Sequence, residues 1–310
     1  MVSVRTTYTR VAGIVGNFRL DRELTRDATR TTYLASHRVM PRQAIVHMMA
    51  PDVDATVESY MAVQLLREAC LMAALQHAGV PTVYETGIHE RRPWFAVELV
   101  AGGSLAEMLA RSGTIERPQA LVIVRELAQV LHHAHVRGVM HCGLRPDHIL
   151  LASRPHGVAL CVTDWSIARA HDSGPIPYTP TLESWHYTAP ELQNAERPTD
   201  RVDTYSLGVI AHQMLAGQPL PRGSAPALDI SIVPYEVIEL VGEMVADKPS
   251  IRPSCADVAR RATVLLETTS FIPPSMRIRR PRWTPDVHFD RMPLTAPDAF
   301  TRDDDEDDTR

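Results

Sequence analysis

The sequence predicts an α+β fold in two lobes, a small strand-rich lobe followed by a larger, mostly helical one. Two observations carry this. Between residues 18 and 49 the apolar residues alternate in short runs, the period of half-buried strands. From residue 118 onward they recur at helical spacing instead. Strands with a single helix, then mainly helices, is an α+β order and not a repeating βαβ one.

The first strands are expected at 18–20, 31–35 and 44–49. Residues 57–77 read as a helix, with Met61, Leu65, Ala69 or Cys70, and Met72 or Ala73 on one face. Residues 93–100 form a compact apolar strand, broken by the run AGGS at 101–104. The clearest helix is 118–137, where Leu121, Val124, Ala128, Leu131 and Ala134 or His135 share a face. Short strands follow around 149–152 and 158–162, then an apolar helix at 203–216. Ser254 and Asp257 have capping-box spacing before Val258 and Leu265.

Residues 1–16 carry weak signal and read as an N-terminal extension. A folded region is expected over 17–269, its lobes meeting near residues 100–101. The stretch 270–310 changes character. It holds Arg277, Arg279, Arg280 and Arg282 among prolines, then an acidic run at 303–308. Such composition buries too little apolar surface to order itself, so a disordered tail is expected.

The chain is 45% hydrophobic, enough for a sizeable core, and its net charge of −5 gives no bulk attraction for nucleic acid. Cys70, Cys142, Cys161 and Cys255 are scattered, which argues against a zinc site or a disulfide framework. No apolar run reaches 18 residues, so no transmembrane segment is expected. With no apolar core of signal-peptide length near residue 1, a cytoplasmic location is expected. Of 32 basic residues only Lys248 is a lysine. Exchanging surface lysine for arginine costs little, but a lysine serving as a compact charge on phosphate is another matter.

Several motifs fall in a telling order. VMHCGLRPDHILL at 139–151 has the form of a catalytic loop, HRDLKPxNILL. LREACL at 66–71 places Glu68 on a helix, and 94–103 has the form of a hinge. VTDWSIAR at 162–169 has the form of a D-F-G segment, YTAPE at 187–191 of A-P-E, DTYSLG at 203–208 of a buried helix start, and KPSIRP at 248–253 of a late motif. Over about 18–268 the chain resembles eukaryotic-type Ser/Thr protein kinases of the bacterial kind. The resemblance implies a bilobal protein-kinase-like fold. It also implies a paired Glu191 and Arg252, and an internal stack of Met72, His141, Trp165 and Asp203.

Phosphoryl transfer relies on positioning and on neutralising phosphate charge. Here the resemblance implies losses. The glycine-rich loop corresponds to TRDATR at 25–30, with no glycine and with Asp27 adding negative charge that Arg26 or Arg30 could offset. His47 stands at the strand lysine, or Val46 after a one-residue slip. Gly143 stands at the catalytic aspartate, and losing a positioned base typically costs about 10²–10⁴ in rate. Arg145 replaces the loop lysine and Cys142 the phosphate-gripping arginine. His148 replaces a metal-ligating asparagine, and imidazole suits zinc or manganese better than magnesium. Asp164 remains as a magnesium ligand, with Asp147 beside His148 as a spare carboxylate. Val97, Glu98 and Val100, with Glu68, mark a vestigial ATP cleft, so ATP with or without magnesium is the one cofactor left open. His132 and His135, at i and i+3, have the spacing of a metal pair, but the resemblance implies structural roles for His135 and His141.

These residues lead to one expectation and its alternative. The first is a catalytically inactive pseudokinase that scaffolds or allosterically regulates a protein partner (a kinase, phosphatase or regulator). The alternative is an ATP-binding Ser/Thr kinase-like protein with weak or unconventional phosphotransfer, or a nucleotide sensor.

Overall fold

The computed structural model describes residues 10–154, 157–170, 181, 183–194 and 196–268. The tail at 270–310 lies outside the described residues.

The first lobe is a six-stranded antiparallel sheet, β1 (Arg10–Val15), β2 (Phe18–Arg26), β3 (Arg30–His37), β4 (Gln43–Met49), β5 (Val83–His89) and β6 (Arg92–Glu98), in the order β1-β2-β3-β4-β6-β5. Between β4 and β5 lies α1 (Glu58–Leu75). The pleat sends alternate side chains to opposite faces. Tyr33, Ala35, Val46 and Met48 point into a core with Val15, Phe18 and Trp94. Thr32 is registered opposite His47 on the other face. That face looks towards α1, which buries Leu65, Glu68, Ala69, Met72 and Leu75.

The second lobe contains α2 (Leu105–Ser112), α3 (Arg117–Val136), β7 (Val139–Met140), β8 (Ile149–Arg154), β9 (Gly157–Val162), β10 (Arg169–Ala170), α4 (Pro190–Gln193), α5 (Arg201–Ala216), α6 (Tyr235–Met244) and α7 (Cys255–Thr268). β8 pairs with β9, and β7 with β10. Helix α5 is buried nearly all round, which explains a sequence apolar on every side. Ser104 caps α2 by accepting from the Glu107 N–H at 3.1 Å. Ser254 accepts from the Asp257 N–H at 3.1 Å and donates its hydroxyl to the Asp257 carboxylate at 2.7 Å.

The bilobal kinase-like fold is therefore present. The sheet starts earlier than the sequence pattern indicates, because Arg10–Val15 pairs with β2 inside the stretch read as an extension. Among the described residues no helix is long and apolar enough to cross a membrane.

Candidate functional site

A cleft of about 840 Å³ opens between the turn joining β2 to β3, α1, and the loop segments around residues 147 and 164. Arg30, the first residue of β3, projects into it. Its Nη2 lies 2.6 Å from Glu68 Oε2 of α1, and its Nη1 lies 3.5 Å from Oε1. The Glu68 side chain is 2% exposed and that of Arg30 19%. Burial pushes the Glu68 carboxyl up to about 7, against the pull of Arg30. A cation thus pairs with the helix glutamate, but it comes from β3. Arg26, the other arginine set against the Asp27 charge, is spent on an exposed pair with Glu23 at 2.9 Å.

His47 lines the same cleft and carries no charge into it. Burial, reinforced by Arg30, pushes its imidazole down to about 3. Its Nδ1 lies 3.1 Å from the Thr32 hydroxyl, and its ring 4.9 Å from that of Phe95. Val46 points away into the sheet core. The pleat therefore turns His47, not Val46, into the cleft.

Asp27 forms the turn. Its Oδ1 accepts from the Thr29 N–H at 2.7 Å, the Thr29 hydroxyl at 2.8 Å and the Arg30 N–H at 2.9 Å. Against the cost of burial, these bonds hold its carboxyl below the usual range. Two N–H groups that a glycine-rich loop would turn towards phosphate are instead filled by this carboxylate.

Asp203 organises the loop across the cleft. It accepts from the His141 and Cys142 N–H groups and from His135 Nε2, each at 2.8 Å. This grip holds Cys142 at a φ of 63°, in the left-handed region that non-glycine residues rarely adopt. Against burial, Asp203 holds His135 up at about 10. His141 packs on Trp165 with centroids 4.6 Å apart. His135 is thus engaged by Asp203, the structural role that the resemblance implies for it. No group of three metal-ligating side chains occurs among the described residues.

Gly143 brings no carboxylate. A Cβ built there meets Ile167 Cδ1 at 2.6 Å, so Ile167 fills the space where a side chain would begin. His148 Nδ1 lies 2.9 Å from the Gly143 carbonyl, and its Nε2 lies 3.1 Å from Asp164 Oδ2. Against burial, His148 and Arg30 pull the Asp164 carboxyl down to about 2. Asp164 has a φ of 57°, a second strained backbone at the cleft.

Other sequence-predicted residues lie elsewhere. Arg145 does not line the cleft. It turns to Asp147 at 2.7 Å and Glu183 at 3.0 Å, because two carboxylates beside it outcompete an empty direction. Asp147 lines the cleft but is engaged by Arg145. Val97, Glu98 and Val100 are not part of this cavity's wall. Val97 is buried in the main core, Glu98 accepts from Thr82, and Val100 packs with Cys161 and Leu150. Leu150 reaches the wall itself. Away from the cleft, Arg252 holds Glu191 with two bonds of 2.6 and 3.0 Å, both side chains buried.

Residues 29–263 match the protein kinase domain. The chain is 30% identical over 220 residues to the serine/threonine-protein kinase PknJ of Mycobacterium tuberculosis, covering 70% of this chain and 37% of that protein. It is 28% identical over 223 residues to PknH of the same species, covering 72% and 35%. It is 26% identical over 220 residues to PrkC of Bacillus subtilis, covering 71% and 33%. The matched region thus spans about a third of each of these relatives. With its two lobes, its Glu68-bearing helix and its Asp164 at the cleft, the chain belongs to the protein kinase family.

Proposed function

We propose that this domain binds ATP in the cleft and transfers its γ-phosphate slowly to serine or threonine hydroxyls of protein substrates. The observation that carries this is the Arg30–Glu68 pair at 2.6 Å, facing Asp164 across the cleft. Phosphate binding needs a fixed cation anchored by a helix carboxylate. Arg30 supplies one from the neighbouring strand, with charge that does not titrate. Asp164 is ionised and offers oxygen donors to a divalent cation shared with the phosphates. The cation's chemistry is to neutralise charge on the transferred group.

The rate is low for stated reasons. Gly143 offers no group to orient or deprotonate the incoming hydroxyl, a loss of about 10²–10⁴. Asp27 fills the turn that would otherwise present N–H groups to phosphate. A second reading, an inactive domain that acts only by holding a protein partner, is favoured by Gly143 and by Ile167 closing over it.

Transfer of label from γ-labelled ATP to a generic protein substrate separates the two. The proposal expects slow transfer abolished by Asp164→Ala and raised by Gly143→Asp combined with His148→Asn and with Ile167→Ala, which clears the space beside residue 143. ATP that binds without any transfer, even in the combined variant, supports the second reading.

A further inference from the structure

We infer that the cation site of this cleft, built from His148 and Asp164, selects manganese or a similar borderline divalent ion over magnesium. The inference rests on ATP binding as proposed above, since phosphate oxygens complete the coordination shell.

The geometry of two donors carries it. His148 Nε2 and Asp164 Oδ2 lie 3.1 Å apart. Two ligands each about 2.1–2.2 Å from one ion, at about 90–95° to each other, span that distance, which is the edge of an octahedron. The imidazole is also oriented for the task. A carbonyl oxygen only accepts, so the 2.9 Å contact with Gly143 O assigns the hydrogen to Nδ1. That leaves Nε2 as the ring nitrogen facing Asp164 Oδ2, so the nitrogen and the carboxylate oxygen are placed to share one ion. A ring N–H anchored on a backbone carbonyl is the usual support of a metal-bound histidine.

That anchor is itself held. The Gly143 N–H donates to His141 Nδ1 at 3.2 Å, and the His141 N–H donates to Asp203 at 2.8 Å. The ring position is therefore set by the buried loop, not by an exposed side chain. Magnesium dehydrates reluctantly and prefers oxygen, whereas manganese and cobalt accept imidazole with carboxylate.

The test uses the full chain. Thermal shift and calorimetry yield the apparent ATP dissociation constant with magnesium, with manganese, with cobalt and with chelator. Loss of the free manganese paramagnetic resonance signal reports manganese bound in the presence of ATP. The expected result is ATP binding at least about tenfold tighter with manganese than with magnesium. His148→Asn, which restores an oxygen donor, brings the two constants together. Equal constants in the natural protein overturn the inference and leave ATP binding intact, as does a manganese preference unchanged by His148→Asn. No ATP response under any cation overturns the inference and the functional proposal together.

Discussion

Exchanging the cleft cation between two strands tests how Arg30 works. Arg30→Met removes the charge and keeps the stem, leaving Glu68 2% exposed with no cation. Breaking a buried pair from one side costs about 3–5 kcal/mol when the remaining charge stays. Glu68 has an escape, because burial already raises it to about 7 and it then takes up a proton. The loss is therefore about 2–3 kcal/mol at pH 8 and about 1 kcal/mol or less at pH 6. In melting temperature the former is about 5–10 °C for a domain of this size. Urea unfolding of the natural protein, Arg30→Met, Glu68→Gln and the double variant isolates the coupling, about 1.5–2.5 kcal/mol at pH 8. His47→Lys adds the decisive sign. Beside Arg30 it places a second cation where burial and Arg30 already depress His47 to about 3, so it destabilises. In the Arg30→Met background the same lysine meets an unpaired Glu68 and restores stability. Coupling below about 0.5 kcal/mol at pH 8, or a lysine equally harmful in both backgrounds, refutes the reasoning.

Asp27→Ala releases the Thr29 and Arg30 N–H groups and removes a carboxylate, so ATP affinity in calorimetry rises about tenfold, the worth of one hydrogen bond to a charged group. Arg252→Met strands the buried Glu191 carboxylate and costs about 3–5 kcal/mol in denaturant unfolding, without altering the metal preference of ATP binding. His135 is raised in the fold to about 10, so its contribution is fully present below about pH 6.5 and is lost as pH rises through 10. Stability of the natural protein should therefore fall across that window by up to about 1.4 kcal/mol per pH unit from this group, and His135→Gln should flatten the slope.

Much of this was written in the sequence where periodicity is strong. Helices 57–77 and 118–137 correspond to Glu58–Leu75 and Arg117–Val136 within two residues, because each buries a continuous apolar face. Strand β5 carried no such signal, since none of its seven residues is fully buried. The replacements at 143 and 148, and the retained aspartate at 164, are plain from motif order alone. The choice between Arg26 and Arg30 was not, because it depends on pleat phase: Thr32 opposite His47 puts Arg30 on the cleft face. The alternation of Arg30, Thr32 and Leu34 against Thr31, Tyr33 and Ala35 held that information. Nothing in sequence order showed that Asp27 would spend its charge on its own turn, that Arg145 would turn to Glu183, or that Ile167 would occupy the space beside Gly143. Those are contacts across 2 to 38 residues, set only once the loops are folded.

Calorimetric titration of ATP, with manganese present, into the natural protein and into Arg30→Met is the most direct test of a working nucleotide cleft. The account predicts saturable binding that weakens at least about tenfold in Arg30→Met and returns when His47→Lys is added, a change of about 1.4 kcal/mol in each direction. Absence of binding to the natural protein, or binding indifferent to Arg30, contradicts it.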